Sequence, residues 1–351
     1  MTQLDLSSAS GIERSALAKI ERGLRGVGAL ELAALARALD MRLEWFLSDE
    51  PAAIASHRTR AGAEVELSTI DKELERFARD VELLASLDTT LFDRTVEPVD
   101  VPGSGSVAEG LAERARHQCG LDPATPVQDL VETVSEIGLL VFAMPLGTET
   151  ADAATTLLVQ GGVSLINSTH AVGRRRLALA HELGHYLVAD DYTVDWRVAE
   201  HNDSDRTEVL LDRFARSFLA PQAGLSKFWN ESREIHELRT SAVLAASYFR
   251  IDMSTLARRL LELDLASSTE CGTIRSVRTT RADIVDHGLV IPYDLDGIAL
   301  PRRYEKSVLA LYRDERISGE RALGLLRGTF ESEDLPPLRT KHRDELWSVV
   351  S

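Results

Sequence analysis

Residues 176–187 read Arg176-Leu177-Ala178-Leu179-Ala180-His181-Glu182-Leu183-Gly184-His185-Tyr186-Leu187. Leu177, Leu179, Leu183 and Leu187 give the run apolar contacts, and the periodicity predicts a helix over 172–188. On a helix, His181 and His185 stand about one turn apart on one side, which brings both imidazoles to one metal ion. Glu182 lies on that same side. It is placed to hold a water and take its proton, since a nearby cation lowers the water's pKa. Gly184 costs up to about 1 kcal/mol against Ala inside a helix. A small residue there lets another backbone or a metal ligand approach closely.

A catalytic zinc site needs a third protein ligand and one open position. Downstream, a second helix is expected over 206–219, and Glu208 and Asp212 share a face of it. One of the two carboxylates could ligate the ion. The other could accept the distal N–H of a ligating histidine and fix its orientation. Asp190, Asp191, Asp195, Glu200, Asp203 and Asp205 are competing oxygen donors, but they fall in or beside a polar, loop-like stretch (189–204) and would be held less rigidly. His201 and His236 could stabilise an oxyanion; ordinary exposed or satisfied histidines are the better reading.

Upstream, residues 107–146 read as helix, Pro-containing turn, helix and strand. Residues 155–167 read as a hairpin on Gly161–Gly162. Its second strand, Gly162 to Asn167, is expected to offer an open edge to an extended substrate. Residues 64–87 form one long amphipathic helix with a stripe of Leu67, Ile70, Leu74, Phe77, Val81 and Leu84, expected to brace the body. Residues 51–63 read as a linker, and Pro/Gly/Ser-containing 97–106 as the better one. Residues 237–263 carry two further helices. Periodicity lapses from 266 and returns as a helical pair at 302–313 and 318–328.

The expected class is therefore mostly α with a small β-sheet (α+β), in a chain whose 351 residues leave room for two or three domains. The divisions expected are 1–50, 51–106, 107–265 and 266–351. A net charge of −16 excludes coating of nucleic acid by bulk charge but leaves room for a small local reading face. No apolar run reaches the roughly 18 residues of a membrane span. With no secretory signal and only Cys119 and Cys271, a cytoplasmic protein with inert thiols is expected.

Residues 176–187, taken with Asp212-Arg-Phe-Ala-Arg-Ser-Phe-Leu-Ala-Pro221, resemble the ImmA/IrrE-type metallopeptidases, and the order of elements over 107–171 fits that family. The resemblance spans roughly 107–263. It implies a zincin-like domain with a gluzincin-like site: His181, His185 and Glu208 as ligands of Zn2+, Glu182 as general base, and Asp212 behind the ligands. Other divalent ions suit such a donor set too. Where the family often has Glu-Ala just before the position of Asp212, this chain has Leu210-Leu211.

Residues 2–25 resemble the XRE-type helix-turn-helix, with Ala18-Lys-Ile-Glu-Arg-Gly23 the closest match; Leu30–Leu39 and Trp45-Phe46-Leu47 also fit. In this reading Leu4 to Ser10 is the scaffold helix, Gly11 the turn and Glu13 to Glu21 the recognition helix. Arg14, Ser15, Lys19 and Arg22 are the candidate DNA contacts. The family's first helix would precede Thr2, so a bundle lacking it is expected. Val27-Gly28-Ala29 stands where the family usually has Pro. Residues 1–50 hold six basic residues against eight acidic ones, a net of −2, so any phosphate-binding face is local. Together the resemblances imply a zinc-dependent regulatory endopeptidase. The expected substrate is a protein regulator, typically a helix-turn-helix repressor, in a stress, mobile-element or toxin–antitoxin circuit. The alternative is a DNA-binding regulator or antitoxin whose peptidase-like domain is a sensor or structural module. The sequence leaves homo-oligomerisation open.

Overall fold

The computed structural model describes residues 3–39, 55–58, 64–94, 96–148, 150–188 and 201–339. The chain divides into two compact units, Met1–Ala52 and Ala53–Ser351.

In the first unit, α1 (Gln3–Ser10), α2 (Arg14–Glu21) and α3 (Ala29–Ala38) close on Ile12, Leu17 and Leu35. Gly11 makes the turn between α1 and α2 at φ +72°, a conformation cheap only for glycine. The Ser7 hydroxyl donates to the Ile12 carbonyl at 2.7 Å and ties the turn to α1. Trp45, Phe46 and Leu47 lie outside the described residues.

The second unit is built on a four-stranded sheet of β1 (Ala55–Arg58), β2 (Leu139–Met144), β3 (Ala153–Leu157) and β4 (Gly162–Asn167), in the order β1-β3-β4-β2. β2 runs parallel to β4, β3 antiparallel to β4, and β1 antiparallel to β3. Alternate residues of one strand feed two cores, as the two-residue strand period requires. Leu139, Val141 and Ala143 enter one core, while Leu140 and Phe142 enter the other. Burial on both faces is why Leu139-Leu-Val-Phe-Ala143 reads as an unbroken apolar run.

On the first face lie α5 (Gly105–Gln118), α7 (Val172–Leu187), α8 (His201–Leu219), α10 (Leu238–Phe249) and α11 (Met253–Glu262). On the second lie α4 (Glu64–Leu87), α14 (Arg302–Arg313) and α15 (Gly319–Leu325). Ile70, Leu74, Phe77, Val81 and Leu84 of α4 are all buried there, and Phe77 stacks on Phe142 with centroids 4.3 Å apart. The amphipathic helix is thus an intramolecular brace. Among the described residues, the remaining helices are α6 (Leu130–Ser135), α9 (Gln222–Ile235), α12 (Ser268–Ser276) and α13 (Arg281–Asp286).

Three expectations change. β4 is an interior strand, paired on both sides, so Gly162 to Asn167 has no open edge. The stretch read as a linker over 51–63 contributes β1. The Pro/Gly/Ser segment 97–106 is held to the body: Val99 N–H donates to the Leu187 carbonyl at 2.9 Å, and Arg206 donates to the Gly103 carbonyl at 3.0 Å. Turn-forming residues there shape a fixed path around the end of α7.

Candidate metal centre

α7 is oriented by buried arginines near its start. Arg176, fully buried, donates to Asp294 and to the Val127 carbonyl, each at 2.6 Å. Near the other end, the Tyr186 hydroxyl donates to the Ile137 carbonyl at 2.9 Å. Between these anchors Leu179 and Leu183 enter the core, which turns His181 and His185 toward α8 and leaves Glu182 beside Thr155 of β3. A Cβ on Gly184 would lie 3.1 Å from Phe214 and 3.2 Å from Leu211, both on α8. The glycine therefore lets α8 lie close, with side chains rather than backbone filling the space.

That approach brings Glu208 to both histidines. His181 Nε2 is 3.0 Å from Glu208 Oε2, His185 Nε2 is 3.4 Å from Glu208 Oε1, and the two Nε2 atoms are 3.0 Å apart. Ligands about 2.0–2.1 Å from a tetrahedral ion stand roughly 3.3 Å from one another, so this triangle has the size of a zinc donor set. Among the described residues, these three form the group able to hold a metal ion. Asp212, one turn on, reaches the other nitrogen of the His181 ring: Oδ1 is 2.9 Å from Nδ1.

The electrostatics follow from this crowding. Burial works against charge on His181, but its hydrogen bonds to Asp212 and Glu208 outweigh that and push its pKa up to about 9. Burial likewise opposes ionised Glu208, yet the two histidines hold it well below the usual carboxylate range. A cation bound to the triangle would replace the proton on His181 Nε2, while Nδ1–H stays on Asp212. Glu182 is fully buried, and among the described residues neither carboxylate oxygen has a well-formed hydrogen bond, with Thr155 close by. Burial pushes its pKa up, countered in part by His185, His181 and Thr155. A buried carboxylate without well-formed hydrogen bonds is costly, and a cation with its water would relieve it. The residues present fit such an ion.

Residues 134–261 match the family model of the IrrE N-terminal-like domain, a peptidase family. Residues 1–46 match a helix-turn-helix model. No curated protein matches the chain. The chain thus joins a helix-turn-helix to an IrrE N-terminal-like domain, and the second match contains His181, Glu182, His185, Glu208 and Asp212.

Within the IrrE N-terminal-like domain, sequence reasoning missed two supports. Thr155 stands two residues from Ala153 on β3, so it faces α7, and it donates to Ser164 at 2.9 Å. Behind Asp212, Arg216 lies 3.8 Å away and reaches Glu262 on α11 at 2.8 Å. The spacing of Asp212 and Arg216, one helical turn, was the available signal. His236 caps the end of α9 and contacts His287 at 6.3 Å between centroids. Asp190, Asp191, Asp195 and Glu200 lie outside the described residues, as do the side chains of His201, Asp203 and Asp205. Burial pushes the Cys119 thiol up to about 12 and raises that of Cys271, consistent with inert thiols.

In the helix-turn-helix unit, Arg14, Ser15, Lys19 and Arg22 are exposed along and just after α2, with Glu13 at its N-cap and Leu17 buried beneath. The Arg22 Nε donates to the Ala18 carbonyl at 2.8 Å. Among the described residues, no helix is long and apolar enough to cross a membrane.

Proposed function

We propose that this protein is a zinc-dependent regulatory endopeptidase that cuts a protein regulator, with a helix-turn-helix repressor as the substrate class. The observation that carries this reading is the triangle of His181, His185 and Glu208 beside the fully buried carboxylate of Glu182, which has no well-formed hydrogen bond among the described residues. A purely structural site has no use for such a group. His181, His185 and Glu208 would hold the ion, and Asp212 would keep His181 in the tautomer that presents Nε2. Zinc, when bound, supplies a Lewis acid that polarises the scissile carbonyl and makes water acidic enough to attack near neutral pH. Glu182 takes the proton of the attacking water and delivers it to the leaving amine nitrogen. Its elevated pKa suits both halves of that task. In this reading α2 docks the helix-turn-helix unit in the major groove through Arg14, Ser15, Lys19 and Arg22.

The test is Glu182→Gln in the full chain. Zinc content stays near one per chain, the circular dichroism spectrum is unchanged, and processing of cellular proteins, followed by labelling of new N-termini, stops. A variant that processes them as fast as the unmutated chain would leave the second reading: a DNA-binding regulator with a sensing or structural peptidase-like domain. The exposed cationic side chains on α2 favour that reading.

A further inference from the structure

We propose that the chain's own strand β1 is a substrate of its metal centre, so that the protein cuts itself near the start of its second unit. The inference rests on the peptidase reading above and narrows the substrate class to this chain's own helix-turn-helix connection.

The position of β1 carries the argument. Without it, β3 would be the edge of the sheet. β3 is also the strand whose residue Thr155 faces α7 and bears on Glu182. An extended peptide adds to such an edge through main-chain hydrogen bonds, which accept many sequences. β1 already occupies that place. It runs antiparallel to β3 with Ala55 opposite Thr156, Ser56 opposite Thr155, His57 opposite Ala154 and Arg58 opposite Ala153. Ser56 is therefore one strand spacing, about 4.8 Å, from the residue beside the general base, and β1 also lies against α7.

Two further facts point to a substrate rather than a permanent part of the sheet. β1 has only four residues, and so short an edge strand opens at little cost. It also begins just past the boundary of the first unit at Ala52, so a cut within it parts the helix-turn-helix from the peptidase. Tethering presents the segment at an effective concentration of order millimolar, ahead of most free proteins.

The step balances with water alone. The water oxygen bonds to the carbonyl carbon of one peptide bond within 55–58, and its C–N bond breaks. Glu182 carries the water proton to the leaving nitrogen. The products are a fragment ending in a carboxylate and a fragment beginning with an amine.

The test uses the full chain incubated with zinc and read by intact mass and N-terminal labelling, beside a mixed peptide library. The expected result is two fragments whose masses sum to the chain plus one water, with a new N-terminus at Ser56, His57 or Arg58. Glu182→Gln abolishes it. The double variant Ser56→Pro with His57→Pro slows it at least tenfold. Successive N–H groups alternate between the two sides of a strand, so one of the two prolines must delete a donor aimed at β3. Its circular dichroism should match the parent's, because β1 is an edge strand. Glu182-dependent cleavage of the library with residues 55–58 intact would overturn the proposal and leave the peptidase reading standing. Cleavage of neither would overturn both. A cut elsewhere in the chain, or one that survives Glu182→Gln, would also overturn the proposal.

Discussion

Removing the carboxylate of Asp212 probes the proposed centre without touching a ligand. In the structure Asp212 Oδ1 is 2.9 Å from His181 Nδ1, and the His181 side chain is 1% exposed. In Asp212→Ala that N–H loses its acceptor. A fully orphaned buried donor costs about 1–3 kcal/mol. Asp212 itself is 28% exposed, so water can enter its place and the upper end of that range is relieved. Loss of such an outer partner typically weakens metal binding 10–100-fold, about 1.4–2.7 kcal/mol. Both arguments give the same range. Asp212→Asn keeps an acceptor oxygen and loses only the charge, so a change under about tenfold is expected. Zinc affinity measured by competition with a chromophoric chelator reads both variants. Arg216 keeps Glu262 at 2.8 Å and water can replace the carboxylate, so the melting temperature of the metal-free protein should fall by only a few degrees, about 2–4 °C per kcal/mol. Unchanged zinc affinity in Asp212→Ala would refute the role assigned to Asp212. A large loss of stability in the metal-free protein would show that it acts on the fold instead.

The other predictions address the neighbouring packing, the acid limb of stability and the first unit. Gly184→Ala places a Cβ 3.1 Å from Phe214 and 3.2 Å from Leu211. Gained helix propensity, up to about 1 kcal/mol, then opposes overpacking of about 1–3 kcal/mol; α8 shifts by tenths of an ångström and zinc affinity falls up to about tenfold, and an unaltered affinity would show that the helix spacing does not set the site. Glu109 accepts from Arg213 at 2.6 Å and Arg259 at 3.0 Å; burial raises its pKa, but these partners outweigh burial and depress it. The folded pKa lies below the unfolded value of about 4.3, so its stabilisation is present above that pH and lost as pH falls through the folded value. The melting-temperature gap between the parent and Glu109→Gln should therefore narrow below about pH 4, and a gap independent of pH would contradict the assignment. Arg14→Ala should weaken binding to an operator fragment and flatten its salt dependence by about one unit of slope if the contact is to phosphate, which fluorescence anisotropy across a salt series would check.

The local geometry of the centre was already legible in residue spacing. Helical spacing places His181 and His185 one turn apart and puts Glu208 and Asp212 on one face of α8, because both separations are near the helical repeat. The same rule made α4 an amphipathic brace and α1 and α2 a helix-turn-helix pair. α9 was legible in principle: Leu225 and Trp229, four apart, are both buried. Tertiary structure alone decided which carboxylate meets the two Nε2 atoms, since that depends on how α8 lies against Gly184. It also decided which strand is an edge. Strand alternation fixes faces but not neighbours, so Gly162 to Asn167 reads alike at an edge or, as found, between β2 and β3. β1 was hidden for the same reason: a four-residue edge strand is held by main-chain bonds to β3, which leave almost no mark on side-chain pattern.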